Sequence, residues 1–404
     1  MQHPQIKANP MQNDIDPLME KYGIDALLTE GSAFGNPNIY WLTGFRSSDI
    51  VIYLKNRGEE PLVASAFLAI ERVKKESFIK KTHDLSEVYL QLLKENKKSS
   101  DNMDRVYDDL LKKQFSGKIL GVPDEFPASL LIMLQEEGYE VKVVRDLVKE
   151  ARATKSGKEI KIIKKAGAAT TDAIAHIVEI VKDCDIGSNK VLMHKGEPLT
   201  VGIAKNALDH FLLDRGAESA EDVILAVGEK AFDWHYLGVA DDKLKSEVPI
   251  IMDVFPRLKQ ERYIADVTRT FVKGPVPKRV REMFEAVEDA ANATVDALTD
   301  GAVIDDVNMA CFKTLEKHGF DSRRLNPDAK DGMTHGLGHG IGLDVHELPS
   351  TYSRQDLYVE GHVMAIEPGV YLEGIGGVRI ENDYAVTKGK SKRLTTGIED
   401  VLYI

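Results

Sequence analysis

The chain has 404 residues, 43% hydrophobic and 29% charged, with a formal net charge of −12; the length predicts two domains, and the acidic balance argues against a binder of nucleic-acid phosphates. No apolar run approaches the ~18 residues of a membrane helix, and Met1 to Asp14 lacks the apolar core of a signal peptide, so we expect no membrane contact and a cytoplasmic location. Two cysteines, Cys184 and Cys311, cannot form a disulfide framework and read as packing residues in a reducing compartment.

From Asp16 to Arg145 short apolar runs alternate with helical patterns. Ile24 to Leu28, Ile39 to Leu42, Ile50 to Leu54, Leu62 to Ala64, Ile119 to Val122 and Val141 to Val144 read as strands. Asp104 to Lys113 and Pro127 to Glu137 read as helices. This alternation predicts an α/β layer domain over residues 1–150. It gathers no metal ligands around a glycine turn, so it reads as a shaping domain rather than a catalytic one.

Ser156-x-x-Glu159 is a capping-box pattern, and Ile160, Ile163, Ala166, Ala173, Ile177 and Val181 recur with helical spacing. A long amphipathic helix therefore opens a second domain over residues 151–404. A helix over Val201 to Asp214, a strand over Val223 to Val227, the Trp234-His235-Tyr236 setting and paired strands from Val248 to Val272 follow. Pro277 stands where a proline at the first helical position belongs. Helices from Lys278 to Leu298 and Asp306 to His318 precede a histidine stretch, and strands from Val363 to Val386 close the domain. Helix, helix, then strands occurs twice, which predicts duplicated halves with a site between them.

Three of the eleven histidines fall between His335 and His346, separated by Gly336, Gly338, Gly340 and Gly342. Backbone so rich in glycine makes a poor helix, so His335, His339 and His346 read as groups of a site. Acids in apolar strands flank them: Asp253 in Ile250 to Phe255, Asp266 in Tyr263 to Phe271, Glu367 after Met364-Ala365-Ile366, and Glu381 after Val378-Arg379-Ile380. A hairpin that pairs Asp253 with Asp266, turning between Lys259 and Gln260, sets their Cβ atoms about 4.5–5.5 Å apart on one face. Carboxylates that close repel unless a cation lies between them. Two Asp, two Glu and one His make an oxygen-rich donor set, suited to Mn, Co or Zn in pairs and too nitrogen-poor for a structural zinc.

With these residues assembled, the chain resembles the Xaa-Pro peptidases (prolidase and aminopeptidase P) of the pita-bread metallopeptidases. Four motifs carry the resemblance: Asp266-x-Thr268-Arg269-Thr270-Phe271, Gly338-His339-Gly340-Ile341-Gly342 with His346-Glu347, Ile366-Glu367-Pro368-Gly369, and Gly377-Val378-Arg379-Ile380-Glu381-Asn382. It implies an α+β pita-bread catalytic domain with pseudo-twofold duplicated halves over residues 151–404, behind a creatinase-type α/β domain over residues 1–150. It also implies that Asp253, Asp266, His339, Glu367 and Glu381 hold two divalent metal ions and that Glu367 takes the proton of the attacking water. By the same resemblance His346 steadies the scissile carbonyl or the proline side, His235 lies near the substrate amine and leaving group, and His335 and Arg379 help to hold substrate. The expected reaction is hydrolysis of an Xaa-Pro bond in a small peptide, by a homodimer. A methionine-type aminopeptidase, a creatinase-like amidinohydrolase and a non-catalytic peptide-binding relative stay open as alternatives. One departure stands out. The family usually has a glycine soon after the first Asp and a spacing between the acids shorter by two, whereas here Phe255-Pro256-Arg257 follows and the spacing is thirteen. An even insertion leaves both side chains on one face, so the ligand pair survives while the pocket rim differs.

Overall fold

The computed structural model describes residues 15–404, so the expectation about Met1 to Asp14 lies outside the described residues. The chain divides into two compact units between Arg152 and Ala153.

In the first unit six strands lie side by side in the order Lys81–Asp84, Leu62–Ser65, Val51–Asn56, Ala26–Gly31, Ile119–Val122 and Glu140–Val143. The three middle pairings that begin the chain's path are antiparallel for Ala26–Gly31 with Val51–Asn56 and for Val51–Asn56 with Leu62–Ser65, and parallel where Ile119–Val122 joins Ala26–Gly31. Leu28, Leu54, Ala64 and Leu120 of the sheet pack with Val106 and Leu110 of the helix Met103–Gln114 and Leu134 of the helix Ala128–Glu136. One expected strand is a helix: Ile39 to Leu42 lie within Pro37–Thr43. Four apolar residues suit a short strand or a buried helical turn equally well, and the flanks decide between them. Asn36 Oδ1 accepts the N–H groups of Asn38 and Ile39, Pro37 opens the helix, and Gly44 leaves it at φ 62.

The second unit opens with the 26-residue helix Gly157–Lys182. Its capping box is closed in both directions, Glu159 N–H to Ser156 Oγ at 3.3 Å and Ser156 N–H to Glu159 Oε2 at 2.7 Å. The helix Val201–Asp214 follows, then a four-stranded sheet in the order Ile224–Val227, Ile250–Val254, Val267–Val272 and Val401–Tyr403. The plan recurs with the helices Lys278–Ala297 and Ile304–Lys317 and a five-stranded sheet in the order Glu347–Ser350, Gly338–Gly340, Val363–Ile366, Asn382–Ala385 and Lys392–Arg393. Met283, Val287, Phe312 and Leu315 of these helices bury against Met364, Ile366, Val378 and Ile380. Pro277, expected at the first helical position, is the cap instead: its φ of −58 suits a helix, but its ψ of 141 is extended.

Replacing Ser156 by Ala should lower the unfolding free energy of the second unit by about 0.5–2 kcal/mol, read from urea denaturation. An unchanged midpoint would mean that the long helix does not depend on its box.

Candidate metal centre

The four-stranded and the five-stranded sheet of the second unit deliver carboxylates to one place. Asp253 lies in Ile250–Val254 and Asp266 immediately precedes Val267–Val272. Their register differs from expectation, because Asp253 faces Thr268 and not Asp266. The strand Pro256–Leu258 is held on its other side by Ala217–Ser219, so the ladder runs further before turning. The turn spans residues 259–262, with Leu258 N–H bonded to Tyr263 O, Arg262 N–H to Leu258 O, and Arg262 at φ 68. A shift of two keeps both acids on one face, now as diagonal neighbours.

The second sheet supplies the rest. His339 lies in Gly338–Gly340, opposite Ala365, and Ile366 faces Asn382, so Glu367 and Glu381 stand at opposed positions just past the last rung. Close approach requires glycine beside His339: a Cβ on Gly338 would stand 1.9 Å from Ala365 O.

His339 Nε2 lies 3.8 Å from Asp266 Oδ2 and 3.9 Å from Glu381 Oε1. One ligand atom from each of these three residues falls within 4.8 Å of the others. Two donors each about 2.1 Å from a shared ion are at most about 4.2 Å apart, so the paired distances suit a cation between them. His339 Nδ1 donates to Gly340 O at 3.1 Å, which leaves Nε2 as a lone pair. Burial, then the neighbouring His346, pushes the His339 imidazole down to about 4 and so keeps it neutral. Burial raises Asp266 well above the usual carboxylate range, reinforced by Glu381 and Asp253, and Glu381 is raised for the same reasons by Asp253 and Glu367. Glu367 is pushed up to about 7 by burial, with Arg379 opposing and Asp253 adding. The Oδ1 atoms of Asp253, Asp266 and Asp383 are buried without a hydrogen-bond partner. Buried carboxylates that repel one another and leave oxygens unsatisfied fit a site for divalent cations.

Asp253 belongs to the same cluster by a different route. Its Oδ2 accepts Arg379 Nη2 at 2.8 Å. The same guanidinium donates from Nε to Thr268 Oγ1 at 3.0 Å and from Nη1 to Tyr371 Oη at 2.9 Å. Thr268 Oγ1 donates in turn to Glu381 Oε2 at 2.6 Å, and Tyr371 Oη to His335 Nε2 at 2.9 Å, while His335 Nδ1 donates to Gly336 O at 2.7 Å. Arg379 and His335, expected to help hold substrate, are therefore turned inward with these nitrogens committed to the protein. Burial, then Arg379, pushes His335 down to about 3, which agrees with an enclosed neutral ring. His346 and His235 are the exposed pair: the His346 ring lies 4.3 Å from that of His339, and His235 rests against Trp234.

Thr268, Tyr371, Asp383 and Arg269 carry parts of the site that sequence reasoning did not assign. Arg269, fully buried, donates from Nη1 to Glu381 O at 2.8 Å and from Nη2 to Asn382 Oδ1 at 2.8 Å. Thr270 Oγ1 exchanges hydrogen bonds with the Arg379 backbone. Asp383 Oδ2 accepts the Asp266 N–H at 3.1 Å. A signal existed for the Thr-Arg-Thr run, which sits inside the Asp266 motif; Tyr371, in an apolar strand, offered none.

Residues 161–388 match the model of metallopeptidase family M24, and residues 13–154 match that of the creatinase/prolidase N-terminal domain. The Xaa-Pro dipeptidase of Pyrococcus horikoshii is 30% identical over 387 residues, which cover 94% of each chain. That of Pyrococcus furiosus is 28% identical over 325 residues, covering 78% of this chain and 84% of the relative. The crystal structure of the prolidase from Pyrococcus horikoshii superposes with a TM-score of 0.76 at 27% identity, over 97% of this chain and 99% of the other.

Cation binding must displace protons from carboxyls whose proton affinity is raised. Affinity for Mn should therefore rise with pH, through the region near 7 where Glu367 gives up its proton, and calorimetry in two buffers of different ionisation enthalpy should show net proton release. Buffer-independent heats would contradict the account. Gly338→Ala should displace His339 and reduce bound metal, measured by elemental analysis; undiminished metal content would show that the close approach to Ala365 is not required.

Proposed function

This chain belongs to metallopeptidase family M24, and on that premise we propose how its residues divide the work of the site. It is a metal-dependent peptidase that cleaves Xaa-Pro bonds, with the pita-bread fold expected from its sequence. Residues 1–150 form a creatinase-type leading domain and residues 151–404 the catalytic one, a reading supported by the two family matches and by the division after Arg152.

In this proposal Asp253, Asp266, His339, Glu367 and Glu381 hold two divalent ions, Mn, Co or Zn. Charge supports the pair: the four proposed ligand carboxylates against the one guanidinium of Arg379 leave three negative charges, more than a single divalent ion neutralises, before the buried Asp383 beside Asp266 is counted. Divalent ions held there would supply a nucleophilic water at neutral pH and a Lewis acid for the scissile carbonyl. Glu367 is the group placed to take up a proton from an attacking water, because it is the most open of the four acids, with a side chain 22% exposed against 10% for Asp253, 5% for Asp266 and 2% for Glu381. His346, exposed beside His339, donates to the carbonyl oxygen as negative charge builds on it. An Xaa-Pro bond is a tertiary amide with no N–H, so the departing nitrogen needs a proton donor or partner, and exposed His235 is the group we assign to it. Arg379 and His335 act by holding Asp253 and Tyr371 in place.

The substrate is a small peptide with proline second. We place the enzyme in the cytoplasm, supported by the free, buried thiols of Cys184 and Cys311; no described helix is long and apolar enough to cross a membrane. A homodimer completes the proposal, to be read by light scattering. The single observation that carries the mechanism is the convergence of Asp266, His339 and Glu381.

Metal-stripped protein given defined Mn, Co or Zn should regain hydrolysis of Xaa-Pro dipeptides and cleave Met-Ala poorly. Glu367→Gln should lower kcat by about 10²- to 10⁴-fold, the usual worth of a positioned proton acceptor. Preference for Met-Ala, or turnover indifferent to metal, would overturn the proposal.

A further inference from the structure

The loop that presents His346 is folded around a buried ion pair that the chemistry above leaves unused. Gly340 and Glu347 pair across the irregular end of a two-stranded ladder, and residues 341–346 leave the sheet between them. Lys155 Nζ lies 3.0 Å from Glu347 Oε2, with side chains 1% and 6% exposed. The other oxygen, Oε1, accepts the backbone N–H groups of Leu343 at 2.7 Å and Asp344 at 3.1 Å. One carboxylate thus satisfies loop donors that no strand partner reaches. Gly342 is pressed against it, since a Cβ there would stand 2.7 Å from both carboxylate oxygens. Gly342 O in turn receives the N–H of Ile264, two residues before Asp266, at 2.8 Å. Lys155 is anchored from behind: Nζ donates to Ala153 O at 3.2 Å and its backbone N–H to Gly361 O at 2.8 Å. A buried ion pair adds little stability over an apolar pair of the same volume, so stability alone is a weak reason for this one.

We propose that Lys155 is a positioning residue for His346, acting through Glu347. The ammonium orients the carboxylate, the carboxylate fixes the backbone of Leu343 and Asp344, and together they set where the His346 imidazole emerges beside His339. The inference rests on the role given to His346 above.

A double-mutant cycle between Lys155 and His346 tests it, with Mn-loaded enzyme and an Xaa-Pro dipeptide. Lys155→Met should lower kcat about 10- to 100-fold, as loss of a supporting partner around a metal site commonly does, with metal content retained and the unfolding midpoint lowered, because the Glu347 carboxylate is left buried without its cation. In a His346→Ala background the same change should cost less than about twofold, because residues acting as one unit are not additive. Equal losses in both backgrounds would overturn the proposal, since general weakening of the fold gives that result. If Lys155→Met does not fold, Lys155→Met combined with Glu347→Gln keeps an uncharged acceptor for Leu343 and Asp344 and is read the same way. Full turnover by His346→Ala alone would remove the role of His346 and the proposal with it. A large His346→Ala effect with none from Lys155→Met would remove the proposal only.

Discussion

Four carboxylates gathered against one guanidinium, mostly out of reach of water, are the constraint from which the second unit's structure follows. Like charges in a poorly solvated space are tolerated only if protonated or matched by cations. Burial and mutual repulsion therefore raise the proton affinity of Asp266, Glu367 and Glu381 together. The polypeptide must hold them in place against that repulsion. Arg379 ties Asp253 to Thr268 and Tyr371, and Thr268 ties the network to Glu381. Arg269 and Thr270 bind the backbone of Arg379 and Glu381 and the side chain of Asn382 to the neighbouring strand, so acids from two different sheets keep a common geometry.

The same arrangement sorts the histidines by exposure. His335 and His339 are enclosed, and burial keeps both neutral: one is a link in the Tyr371 chain and the other presents a lone pair to Asp266 and Glu381. His235 and His346 are exposed and free to meet a substrate. A neutral ring inside and exposed donors outside suit hydrolysis at a metal site. The buried pair of Lys155 and Glu347 extends the logic one layer outward, to the loop that carries His346.

Much of this is legible in the sequence, for a physical reason: an acid inside an apolar run must find a partner, and glycine between histidines marks backbone brought close to something else. Asp253, Asp266, Glu367, Glu381 and His339 stand out on those grounds. The hairpin register does not. Registers that differ by two place the same side chains on the same face, and the choice depends on Ala217–Ser219, a strand remote in the chain. Ile39 to Leu42 failed as a strand because four apolar residues carry no period, and the Asn36-Pro37 start was the better guide. Tyr371 was invisible, since a tyrosine among Val370 and Leu372 reads as core until its hydroxyl is seen between Arg379 and His335.

In our proposal these side chains form one centre for a pair of cations. Anomalous scattering from crystals grown with Mn, recorded at the manganese absorption edge, tests it most directly. Two peaks are expected within the second unit, each in contact with carboxylates of Asp253, Asp266, Glu367 or Glu381, and one of them beside His339 Nε2. A single peak bound elsewhere, or none in protein that still cleaves Xaa-Pro dipeptides, would contradict it.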